Sequence, residues 1–219
     1  MVDNIEVNTQ NSIRIESRVG TIYVDPLEIG NDAHDADYIL ITHDHYDHFS
    51  PEDIRKVAKA DSILVVPENM LDKAQEVTRD VGKIETVKPG VYRELNGLEF
   101  ETVPAYNLLK PFHPKSAEWV GYVLRIDGQR IYIAGDTDAT KEAKAVKCEI
   151  ALVPIGGTYT MDARKAAELV NTIRPNIAIP VHYGSIVGKP ADGNVTEDAK
   201  YYLDVTTRCT QKMLDIYSD

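Results

Sequence analysis

The chain has 219 residues, 43% of them hydrophobic and 27% charged, which is length and composition enough to bury the core of a globular domain. Its formal net charge of −11 argues against a broad grip on nucleic acid, which needs Lys and Arg to displace the counterions of phosphates. Its apolar runs fall short of the ~18 residues that a membrane span needs, and residues 1–10 are polar and acidic where a secretory signal would be basic and apolar.

In chain order, residues 12–15, 21–24 and 38–42 are rich in β-branched and aromatic side chains and predict strands. Ser50, Pro51 and Asp53 read as N-cap, first helical position and capping-box acid of a helix running to about Lys59. Residues 62–66 predict a short strand and residues 70–79 a second, shorter helix. Residues 83–105 read as meandering strands turning at Asn96-Gly97. Residues 120–126 and 130–134 flank a second hairpin signal, Asp127-Gly128. A strand follows at 150–154. Ala163, Ala166, Ala167, Val170 and Ile173 then recur at helical spacing, predicting an amphipathic helix over 161–173 that ends before Pro175. Residues 177–181 predict a strand and 196–205 a last helix.

No internal repeat, low-complexity tract or Pro/Gly/Ser-rich linker breaks this order, so residues 1–219 are expected to form one domain. Hairpins followed by strand–helix alternation predict packed sheets with helices outside, an α/β or α+β protein. Cys148 and Cys209 have neither the number nor the spacing of a disulfide framework or zinc ribbon. Both are expected as reduced thiols of a cytoplasmic protein, with Cys148 a small core residue.

Three of the six histidines fall in the run His43-Asp44-His45-Tyr46-Asp47-His48, at the end of the apolar strand 38–42. Imidazoles are an expensive core material, because each brings polar nitrogens that need partners. As ligands of zinc, manganese or iron, neutral imidazoles and a carboxylate make chemical sense. His43 and His45 are two apart and point the same way from an extended segment, whereas Asp47 and His48 follow in a turn and can face a second ion.

The motif resembles the His-x-His-x-Asp-His signature of the metallo-β-lactamase superfamily. Ile131-Tyr132-Ile133-Ala134-Gly135-Asp136-Thr137 resembles that family's strand followed by Gly-Asp-Thr, and Ile177-Ala178-Ile179-Pro180-Val181-His182-Tyr183-Gly184 its last strand and final histidine. The resemblance spans roughly residues 12–185. Within the superfamily the chain is most similar to the small metal-dependent hydrolases, a branch that includes the L-ascorbate 6-phosphate lactonase. Val24-Asp25-Pro26 and residues 156–161 carry that likeness. The resemblance implies an α+β fold, the four-layered αββα sandwich. It also implies two divalent metal ions, zinc or manganese. By resemblance His43 and His45 hold the first ion, Asp47, His48 and His182 the second, and Asp136 bridges. Asp47 and Asp136 are the residues implied to serve catalysis, by a metal-bound hydroxide acting on a small ester-like substrate, a lactone or phosphoester.

The third ligand of the first ion is open. The family's histidine falls where this chain has Asn107, and His113 comes six residues later. Either the loop folds back to supply His113, or the Asn107 amide replaces the imidazole, or the ion is weakly held. His113 and Lys115 could instead contact substrate, and a surface histidine between prolines is the plain alternative. His34 reads as a turn residue. Asp25 is either strand-end turn chemistry or an acid that orients a ligand histidine. Asp138 either lies at the surface or helps position Asp136. Gly156 and Gly157 read as turn or pocket glycines, and Thr158, Tyr159, Tyr183 and Lys189 as substrate contacts. The competing functions are a nuclease or nucleotide phosphodiesterase, disfavoured by acidity and by the lack of room for an inserted RNA-holding domain, and a degenerate metal-binding relative, suggested by Asn107. A small-molecule partner is expected, with no membrane and no nucleic acid, and the oligomeric state is open, a homo-oligomer included.

Overall fold

The β-branched runs at the head of the chain pair as an antiparallel meander, and an unpredicted strand precedes them. β1 (Ile5–Val7), β2 (Ile13–Ser17) and β3 (Gly20–Val24) run antiparallel, after which β4 (Ala36–Leu40), β5 (Ala58–Pro67) and β6 (Lys83–Val87) join in parallel, giving the sheet order β1-β2-β3-β4-β5-β6. The computed structural model describes residues 4–183 and 210–211, and this sheet belongs to the first of its two units, Met1–Lys88. The predicted helix at 196–205 lies outside the described residues.

Helix α1 (Pro51–Val57) starts as the sequence predicts: Ser50 accepts from the Asp53 N–H at 3.3 Å and Pro51 opens the helix. It stops two residues earlier than predicted, because Ala58 already has extended backbone and begins β5. The helix predicted over 70–79 is broken into a 3-10 turn at Glu68–Met70, the single turn α2 (Leu71–Ala74) and another 3-10 turn at Gln75–Val77. Its apolar face survives the break, since Met70, Ala74 and Val77 join Ile39, Ile54, Val57, Leu64 and Val66 in one buried cluster.

The second unit, Pro89–Asp219, repeats the plan of hairpins first and crossovers after. β7 (Tyr92–Leu95), β8 (Leu98–Pro104), β9 (Val120–Ile126) and β10 (Gln129–Ile133) are antiparallel neighbours. β11 (Ile150–Pro154), β12 (Ile177–Val181) and β13 (Thr210–Gln211) follow in parallel. Both predicted turns are present, with Asn96 and Gly97 at φ +47° and +95° and Asp127 and Gly128 at +50° and +78°, the left-handed pair that a two-residue hairpin needs. A five-residue helix, α3 (Lys141–Ala145), was not predicted; it is too short to show a period. α4 (Ala163–Ile173) is the predicted amphipathic helix, capped by Asp162, and it buries Ala163, Ala166, Ala167, Val170 and Ile173 with Tyr132, Ala151, Val153 and Ala178 of the sheet. Cys148 joins the same core, as expected. Among the described residues no helix is long and apolar enough to cross a membrane.

Candidate metal centre

In the first unit the parallel strand β4 ends at Leu40, and its ladder is prolonged by the Ile41 N–H donating to Val65 O at 2.9 Å. The chain then turns: the N–H groups of His48 and Phe49 both donate to His45 O, at 3.0 and 2.9 Å, and Ser50 starts α1. A fixed strand end and a fixed helix start thus hold the six-residue motif between them, outside the carboxyl end of a parallel strand, where open α/β sheets place ligands. From α2, Lys73 donates to Asp44 O while its Nζ lies 5.3 Å from the centre of the Phe49 ring.

Asp25 organises the imidazoles. It is fully buried, sits at φ +45°, and accepts from Asn11 Nδ2 at 2.7 Å, the Thr42 N–H at 2.8 Å, Thr42 Oγ1 at 2.6 Å and His48 Nδ1 at 2.7 Å. The carboxylate can only accept, so the His48 hydrogen is on Nδ1 and the neutral ring's lone pair is on Nε2. The single hydroxyl hydrogen of Thr42 goes to Asp25. Thr42 Oγ1 must then accept from His43 Nδ1, 2.9 Å away, which leaves the His43 lone pair on Nε2. Both readings of Asp25 are present in the geometry: it sits in a strand-end turn at φ +45°, and its carboxylate orients the candidate ligand His48.

In the second unit three further candidates converge. Asp136 follows β10 and Gly135, which is at φ +62°; His182 follows β12 at φ +55°. His113 is brought in by a loop that folds back, with the Asn107 N–H donating to His113 O at 2.8 Å. His113, Asp136 and His182 are all buried. Asp136 Oδ2 stands 3.4 Å from His113 Nε2 and 3.3 Å from His182 Nε2. Asn107 Oδ1 accepts from His113 Nδ1 and from the His113 N–H, both at 3.2 Å, and Asn107 Nδ2 donates to Tyr159 O at 3.0 Å. The amide therefore orients the imidazole. Gly156 makes room for His182: a Cβ there would lie 2.4 Å from His182 O and 3.3 Å from His182 Nδ1.

The donor set fits a divalent ion. Two ligands on a tetrahedral ion with metal–nitrogen bonds of ~2.0–2.1 Å lie about 3.3 Å apart. His43 Nε2 and His45 Nδ1 are 3.2 Å apart, and the Asp136 contacts fall at the same spacing. Asp47 Oδ2 and His48 Nε2 are wider, at 3.7 Å. Taken by unit, the donors combine imidazole nitrogens with carboxylate oxygens, the mixture zinc and manganese accept.

The remaining sequence candidates divide. His34 is a turn residue, as expected: it sits at φ +46° and its Nδ1 meets Ala58 O at 2.8 Å. Asp138 is buried rather than at the surface and receives the Leu108 N–H at 2.8 Å. Lys115 is 2.8 Å from Glu142 Oε1. Lys189 lies outside the described residues. Sequence reasoning passed over Asn11, Thr42 and Lys73, which have no distinctive spacing; only the position of Thr42 next to the motif hinted at its role.

Strand ends carrying buried histidines oriented by carboxylate and amide partners fit a metal site. The profile of the Beta-lactamase superfamily domain matches residues 4–182. A UPF0173 metal-dependent hydrolase of Pyrococcus abyssi is 31% identical over 178 residues, 75% of this chain and 77% of that one. A crystal structure of a Parabacteroides distasonis protein assigned to the metal-dependent hydrolases is 30% identical, with a TM-score of 0.81 over 96% of this chain and 92% of that one. The structure of Igni18, a metallo hydrolase of Ignicoccus hospitalis, is similar in fold, with a TM-score of 0.73 at 22% identity over 96% and 94%. The chain belongs to the metallo-β-lactamase superfamily, among its metal-dependent hydrolases, and its fold is the α+β sandwich of that family.

Proposed function

We propose that His43, His45, Asp47, His48, His113, Asp136 and His182 together hold two divalent ions, zinc or manganese, in a single hydrolase domain made of both units. The proposed reaction is hydrolysis of a small ester-like molecule, a lactone or phosphoester. The observation that carries this is Asp136 Oδ2, set 3.4 and 3.3 Å from two buried imidazole nitrogens, the position of a carboxylate shared by ligand histidines. Bound divalent ions would supply a nucleophile from water at neutral pH and polarise the electrophile.

The chain's own residues do the rest. Asp25 fixes the His48 tautomer and makes its Nε2 more basic, and Thr42 does the first of these for His43. Asn107 does it for His113, so the amide stands behind the imidazole rather than in its place. That arrangement favours the hydrolase reading over a degenerate relative. Asp47 is less enclosed than Asp136, and its proposed role, besides holding an ion, is to accept a proton from the attacking water. Cys148 is a free, buried thiol, which fits the proposed cytoplasmic setting. Asp136→Asn tests the reading: the variant should keep its circular dichroism and lose hydrolysis of a responsive lactone or phosphodiester. Full activity would rule Asp136 out.

A further inference from the structure

The loop that supplies His113 also carries strongly exposed apolar side chains. Leu108 is 57% exposed, Leu109 97% and Phe112 41%, and the Phe112 ring meets Tyr159 edge-on at 4.8 Å between centroids. One exposed leucine means little. Here the backbone beneath is pinned at several points. The Leu108 N–H donates to Asp138 Oδ2 at 2.8 Å, Asn107 Nδ2 to Tyr159 O at 3.0 Å, and Lys110 Nζ to Gly157 O at 2.8 Å and to Thr160 O. Polar anchors on both sides therefore hold apolar groups out at the surface, as a rigid lip, which lowers the ordering cost of seating a ligand on them.

The charges of the same segment point the same way. A site for a phosphoryl group presents Arg or Lys to it. Here Lys110 faces two carbonyls and lies 3.8 Å from Asp138 Oδ1, and Lys115 pairs with Glu142 Oε1 at 2.8 Å. Both of the loop's ammonium groups are turned to partners within the protein, and a chain of net charge −11 repels anions at long range.

We infer that this lip, built from Leu108, Leu109, Phe112 and Tyr159, seats the alkyl group of a neutral ester or lactone. The inference rests on the hydrolase reading above and selects between its substrate classes, neutral ester over phosphoester.

Trp119, the chain's one tryptophan, has its ring 5.4 Å from that of His113 and serves as reporter. Non-hydrolysable p-nitrophenyl alkyl ethers from methyl to hexyl, and p-nitrobenzylphosphonate as the anionic comparator, would be titrated against its fluorescence. The ethers should tighten about two- to fourfold per added methylene, the range for partial to full burial. The phosphonate should bind more weakly than the hexyl ether, and the exposed-residue variants Leu109→Ala and Phe112→Ala should flatten the series. A flat series, no quenching by any ether, or a phosphonate that binds more tightly than the hexyl ether overturns the inference. A parallel p-nitrophenyl ester series on metal-loaded protein separates the two readings. The expected binding slope without ester turnover supports the lip and counts against the hydrolase reading. Turnover with a flat chain-length dependence overturns the lip and leaves that reading standing.

Discussion

Asp25 gathers four hydrogen bonds on a fully buried carboxylate at a backbone angle that non-glycine residues seldom adopt. Asp25→Asn puts an amide NH2 where donors already point. Metal affinity should fall about 10–100-fold, as it does when the partners of ligand histidines are removed, and chelator competition would measure it. Unchanged affinity would show that Asp25 only closes the turn. Asn107 makes the matching case in the second unit. His113→Ala should remove metal, Asn107→Ala should weaken it, and His34→Ala should leave it alone; elemental analysis of the three variants checks the order. Cys148 gives a pH prediction. Burial, with the Glu149 charge adding to it, pushes its thiol up from 9.0 to about 12. Its folded pKa lies above the unfolded one, so its contribution to stability is present below about pH 9 and is lost as pH rises towards 12. Alkylation of Cys148 at pH 8 should therefore be slow in the native protein and fast in denaturant, read by peptide mass spectrometry. Equal rates would show that the thiol is not held in the core.

At the scale of elements, legibility followed length and period. α4 and the hairpins at Asn96-Gly97 and Asp127-Gly128 were readable because a long amphipathic period and a left-handed turn pair are local signals. The three-residue β1, the five-residue α3 and the broken 68–77 segment were not, since packing rather than local preference shapes such short pieces. The candidate ligands were legible because histidines clustered at a strand end are chemically conspicuous. Their surroundings were only partly so: Asp25 was one of two open readings, whereas Asn11, Thr42 and Lys73 gain their roles only when the fold brings them to Asp25 and Asp44. The Gly156 segment beside β12 makes an element-scale prediction. Gly156→Ala places a Cβ against the His182 backbone, which must shift, so the variant should bind metal more weakly with little change in far-UV circular dichroism. Unaltered affinity would show that the His182 carbonyl yields without moving the ring.

Across the whole molecule, each unit presents candidate ligands past its sheet's parallel strands, at β4 in one and at β10 and β12 in the other, with His113 delivered by a loop after β8. The proposed function has these residues hold two divalent ions together. Elemental analysis of freshly purified protein and of two variants, one in each unit, checks it. About two equivalents of transition metal per chain are expected in the wild type, as two-metal hydrolysis requires, with clear loss in both His43→Ala and Asp136→Asn and folding retained. Absence of metal after supplementation, or full metal content in both variants, would overturn the proposal.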